Sequence, residues 1–127
     1  MAQFAADEAN IMKRLREYQS KLRQQYGPRG SDGNFVMIDH GNGEYSVMVH
    51  LKKNSIRVKR GDRVKRGQVV AQVGQSGLST EPHLHFEVVT DPDPFKQRGV
   101  PVYFVGLEDA DGPKFLHSGD LVTRGSN

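Results

Sequence analysis

The stretch STEPHLHFEVV, residues 79–89, sets His83 and His85 either side of Leu84 at the head of an apolar run. Side chains two apart on a strand point to the same face. His83, His85 and Glu87 are therefore expected on one face, and Leu84, Phe86 and Val88 on the other, as core. Neutral imidazoles two apart on a strand can converge on one metal ion or one substrate atom. A purely structural strand has little reason to carry such a row. A third histidine, His50, stands next to last in the stretch EYSVMVHL. Alternation there makes Tyr45, Val47, Val49 and Leu51 the apolar face and places His50 opposite, with Ser46 and Met48. Each strand thus aims histidine away from its apolar residues, and the three are expected to meet in one groove.

The elements that must position them follow from the pattern around them. From Asp7 to Tyr26, apolar Ile11, Leu15, Tyr18 and Leu22 recur at steps of four, three and four. That spacing predicts an amphipathic helix packed through Ile11, Leu15 and Leu22. Asp7 and Glu8 suit the start of a helix, where its dipole favours negative charge, and Gly27-Pro28 stops it. After the loop GPRGSDG, short strands are expected at 35–39, 44–51, 56–58, 68–73 and 83–89, with HGNGE as the first hairpin turn. A further strand is expected at 102–105, after the Pro-rich break TDPDPF.

At 127 residues the chain fits one domain with a modest core. Its net charge of +3 is too weak to argue for nucleic acid. Eight of its Lys and Arg residues crowd between Lys52 and Arg66 without interleaved aromatics, so the run reads as a solvated turn and strand edge. Contact with an anionic polymer is its secondary reading. Cysteine is absent, which excludes thiolate metal sites and disulfides. No stretch has the length and apolarity of a membrane span. MAQFAADEAN lacks the basic flank and apolar segment of an export signal.

The order of the motifs resembles the lysostaphin/LytM-type zinc metallopeptidases. The resemblance runs from Gly33 to about Val89: GNFVMIDHGNGEYSVMVHL, the turn unit VKRGDRVKRGQ, and then GQSGLSTEPHLHFE. It implies a mainly β fold, an antiparallel sheet of barrel-sandwich hybrid type with one N-terminal amphipathic helix. It also implies a groove that holds one Zn²⁺ and cuts peptide bonds of peptidoglycan. Carried over residue by residue, His85 matches a zinc ligand, while His83 and His50 match histidines that act beside the metal. The resemblance places such a protein in the cell envelope or outside the cell, with cell-wall peptide as partner.

One departure sets the terms for everything else. The family takes two more zinc ligands from an upstream HxxxD motif, and this chain carries no HxxxD. His40 and Glu44 have that spacing but straddle the GNG turn; His117 and Asp120 lie three apart in the tail. The chain is therefore read as residues 1–32, a helical segment and loop; 33–107, an incomplete β core; and 108–127, a polar tail. Its missing ligands then belong to an absent half or a partner chain. The alternative is a non-catalytic module that binds cell wall or regulates a hydrolase, and a third reading makes the histidines surface remnants.

Overall fold

The computed structural model of the chain describes residues 2–109 and 112–114, with side-chain surroundings from residue 9 to residue 105. It is an antiparallel β sheet preceded by one helix. Helix α1 spans Ala2–Tyr26, starting earlier than the acidic residues suggested. Gly27 ends it with φ at 92° and its N–H on the carbonyl of Arg23, 2.9 Å away, the left-handed stop that glycine permits. The stripe expected to pack does so only in part. Leu15 and Leu22 are half-buried, but Ile11 is 58% exposed and Tyr18 48%. The helix touches the body through its C-terminal end, where Gly30 of a short 3-10 turn, Gly30–Asp32, abuts the backbone of Leu22 so closely that a Cβ would meet it at 2.1 Å.

Strands β1 (Asn34–Asp39), β2 (Tyr45–Leu51) and β3 (His85–Val89) form one sheet in the order β1-β2-β3. The GNG hairpin joins the first two as expected, with Gly41 and Gly43 both at positive φ. Among the described residues no strand pairs with the outer edge of β1, and the sheet does not close into a barrel. Strands β4 (Phe104–Asp109) and β5 (Gly112–Lys114) make a separate pair. Most of the tail, including His117 and Asp120, lies outside the described residues.

The two expected strands at 56–58 and 68–73 are absent as such. In their place the chain runs out and back as an extended arm, tied by Lys52 N–H to Gln72 O at 2.9 Å and Arg57 N–H to Val70 O at 2.8 Å. The arm returns at Val73, which bridges Leu51, and Gly74, which bridges His83. The segment 73–74 thus enters between the end of β2 and the approach to β3. Gly74 is required there, because a Cβ would stand 2.5 Å from the backbone of Lys52.

Cross-strand register corrects the expected faces. Tyr45 pairs with Val89, Val47 with Glu87 and Val49 with His85, and directly opposed residues share a face. The core is Val47, Val49 and Val89, with Met37 and Tyr45 against it. It therefore lies on the same face as His85 and Glu87. Leu84 and Phe86, expected as core, are 46% and 36% exposed on the other face. Val89, at the far end of β3, supplies the burial that the Leu84–Phe86 set was expected to give.

A three-histidine candidate metal centre

His50 reaches the site through a bulge. Between the pairs Asn34–Leu51 and Val36–Met48, β1 advances two residues and β2 three. The extra residue breaks the alternation that would otherwise send His50 to the face opposite Val49 and His85. His50 takes φ of 61°, a left-handed conformation that is costly for a residue with a Cβ. The result is that His50, His83 and His85 do converge, as the sequence led us to expect, although not because each shuns its apolar neighbours. One ligand atom from each lies within 4.8 Å of the others. The ring of His50 is centred 4.8 Å from that of His83 and 5.8 Å from that of His85.

Hydrogen bonds orient two of the rings. His50 Nδ1 lies 2.8 Å from the carbonyl oxygen of Ser76, and His83 Nδ1 lies 2.8 Å from that of Glu81. A carbonyl only accepts, so each Nδ1 carries the proton and each Nε2 lone pair is left for chemistry. Backbone carbonyls set histidine tautomers in this way at metal sites generally. His50 is buried, while His83 and His85 face solvent. His85 Nε2 is 3.9 Å from a carboxylate oxygen of Glu87, a charge contact longer than a hydrogen bond.

The sequence reading assigned no role to Ser76, which holds the arrangement together. Its hydroxyl donates to Leu51 O at 2.6 Å and accepts from Asn34 N–H at 3.0 Å, while its carbonyl accepts the hydrogen bond from His50 Nδ1–H. Gly77 follows it at φ 74°, packed so tightly on Gly33 that a Cβ would stand 2.4 Å from the Gly33 nitrogen. The signal was present in the stretch GQSGLST, where two glycines bracket a serine. Of the histidines outside the cluster, His40 is engaged at the other end of β2, its Nε2 2.6 Å from Ser46 Oγ. That excludes the His40–Glu44 pair from the site.

A cluster of three imidazoles is the right kind of donor set for a borderline metal such as zinc. Tetrahedral zinc would hold its nitrogens roughly 3.3 Å apart, from Zn–N bonds of about 2.05 Å. A spread of up to 4.8 Å is wider than that. The donors fit in type, but the three together do not form a closed tetrahedral set.

Comparison with known proteins agrees with this chemistry. The sequence profile of Peptidase family M23 matches residues 20–97, more than half of the chain. The chain belongs to peptidase family M23. The chain is also similar to the peptidoglycan DD-endopeptidase ShyA of Vibrio cholerae, 46% identical over 57 residues, 45% of this chain and 13% of that protein. The DD-carboxypeptidase/endopeptidase Mpg of Neisseria gonorrhoeae is 36% identical over 89 residues, 70% of this chain and 20% of that protein. The chain thus spans 13–20% of the length of these two relatives. A solved mutant catalytic domain of the prophage-encoded M23 protein EnpA of Enterococcus faecalis shares 38% identity, over 54% of this chain and 50% of that one, with a TM-score of 0.47. The profile match over residues 20–97 bears out the resemblance to the LytM type as family membership.

Proposed function

We propose that the chain is the part of a zinc endopeptidase domain that carries one metal ligand and two charge-handling imidazoles, and that it acts on peptide bonds of peptidoglycan in the cell envelope. The observation that carries this reading is the meeting of His50, His83 and His85 within 4.8 Å in a chain of family M23. In this reading His85 holds the metal, and two further ligands come from sequence outside residues 33–107. The similarity to a protein named a peptidoglycan DD-endopeptidase supports the substrate class.

Bound zinc would polarise a scissile carbonyl and lower the pKa of water toward about 7. This chain's own residues would do the rest. With both Nδ1 protons fixed on carbonyls, the Nε2 atoms of His50 and His83 are proton acceptors. Either can take a proton from water as general base. The imidazolium so formed then carries an Nε2–H that can hydrogen-bond a developing oxyanion or return the proton to the leaving amine. No tautomer change is needed at any point. His50, buried and held by Ser76, is the more rigid of the two; His83 is open to an incoming polymer.

The test is release of peptide fragments from purified peptidoglycan by two proteins: the 127-residue chain, and the same chain joined to an upstream segment containing HxxxD. The joined protein should be active, should lose activity with a chelator, and should lose it in His85→Ala. Equal activity of the chain alone with added zinc would overturn the division of ligands. Inactivity of the joined protein, with cell-wall binding retained, would favour the non-catalytic module.

A further inference from the structure

The segment Lys52–Arg66 contains eight of the eighteen Lys and Arg residues and a single acid, Asp62. Its formal charge is therefore +7, eight less one, in a chain whose net charge is +3. All other residues together carry −4, ten cations against fourteen acids. Every one of the eight cations is exposed. Among the described residues, the ion pairs are Arg29–Asp32 and His85–Glu87, and neither involves the arm. Asp62 is committed to the turn, its carboxylate accepting the Lys59 backbone N–H at 2.9 Å.

The cations also sit on built structure. Besides the two cross-links of the arm, Asp62 N–H bonds Lys59 O and Gln68 N–H bonds Lys65 O, both at 3.0 Å. Gly61 and Gly67 turn the chain at φ of 93° and 80°. At the base of the arm, Lys52, Lys53 and Arg57 line a cleft with Asn54, Ser55 and Gln72. Lys52 is two residues beyond His50, about 7 Å along an extended chain.

We propose that this arm is a docking surface for the carboxylates of the polymer whose peptide bonds the histidine site would cleave. The inference rests on the proposed function and adds to it the means by which the polymer is gathered. The arm has no aromatic residue on which bases could stack, which disfavours single-stranded nucleic acid. It also lacks the Trp, Phe and Leu face by which basic segments enter a lipid surface. A repeating polymer with free peptide carboxylates instead offers many anions to many unpaired cations. Contacts that are individually weak then add through multivalency, and they are sensitive to salt.

The experiment is co-sedimentation of the 127-residue chain with purified peptidoglycan sacculi at about 50 mM and about 300 mM salt. The comparison proteins are a Lys59→Glu/Arg60→Glu/Arg63→Glu variant and its milder Lys59→Gln/Arg60→Gln/Arg63→Gln counterpart, with melting curves to establish that both fold. The chain should bind at low salt and release at high salt. Binding should weaken roughly tenfold or more in the glutamate variant and less in the glutamine one. It should fall likewise when the sacculus carboxylates are amidated. Salt-independent binding, undiminished binding by the glutamate variant, or tighter binding to polyphosphate or anionic phospholipid vesicles than to sacculi would overturn the proposal. Because sedimentation needs no catalysis, failure of the hydrolysis test leaves this result readable, and intact hydrolysis with no charge-dependent binding sinks the arm alone.

Discussion

His50 holds the most expensive backbone conformation in the site, and the site depends on it. A residue with a Cβ at φ 61° is strained by roughly 1–2 kcal/mol, and the bulge that demands it is what turns the ring toward His85. His50→Ala and His50→Gly both delete the bond to Ser76, but only glycine is free of the strain. The glycine variant should therefore be the more stable by about 1 kcal/mol in urea unfolding; an alanine variant of equal stability would mean the bulge is not strained in solution. Ser76 is the second point of leverage. Ser76→Ala leaves Asn34 N–H without its side-chain acceptor and Leu51 O with only the longer bond from Asn34 Nδ2, at 3.4 Å, and should cost about 1–3 kcal/mol. Gly77→Ala should cost more, since its Cβ would have to displace the Gly33 backbone from 2.4 Å at a φ that alanine resists. A melting temperature unchanged in Gly77→Ala would refute that close approach. At this scale the histidines themselves were legible, because HxH and a terminal HL are unusual on apolar strands. The bulge was not: nothing in the alternation of EYSVMVHL marks an extra residue, and strict period two would have put His50 on the wrong face.

Among the elements, β1, β2 and β3 were legible from alternation and from the GNG turn, within a residue or two at their ends. The arm was read as two strands because short apolar runs, 56–58 and 68–73, stand either side of the turn unit VKRGDRVKRGQ. A strand needs a neighbour as well as a pattern, and the arm has only sparse bonds to itself. It lies outside the β1-β2-β3 sheet. Its amides at positions other than 52, 55, 57, 59, 62, 65, 68 and 72, which donate hydrogen bonds, should exchange with solvent hydrogen roughly a hundredfold faster than those of Val47 and Val49. Comparable protection across 56–70 would show that the arm is paired more fully than its hydrogen bonds indicate. The helix was legible in type but not in packing. Periodicity reports which face is apolar, not whether anything covers it, and Ile11 at 58% exposure is left uncovered by the described residues.

For the whole molecule, the described core is small: Val36, Val47, Val49, Leu51 and Val89 are its buried apolar residues. A core of that size supports only modest stability, and the outer edge of β1 has no partner strand among the described residues. Both features suit the proposed reading, in which the remaining metal ligands come from outside residues 33–107. What the sequence could not reveal is the arrangement of the three imidazoles, since that depends on register, on the bulge and on the entry of Gly74 between β2 and His83. The central claim is that these histidines are one half of a zinc site, with His85 the single ligand and His50 and His83 beside it. Calorimetric titration of zinc into the 127-residue chain tests it most directly. Complete structural zinc sites bind with about 10–16 kcal/mol. The account predicts no saturable binding tighter than roughly 1 μM, or about 8 kcal/mol, and a strong gain when the HxxxD segment is supplied, abolished by His85→Ala. Tight binding of one zinc per chain without that segment, lost equally in His50→Ala, His83→Ala and His85→Ala, would contradict it and make the three histidines a metal site in their own right.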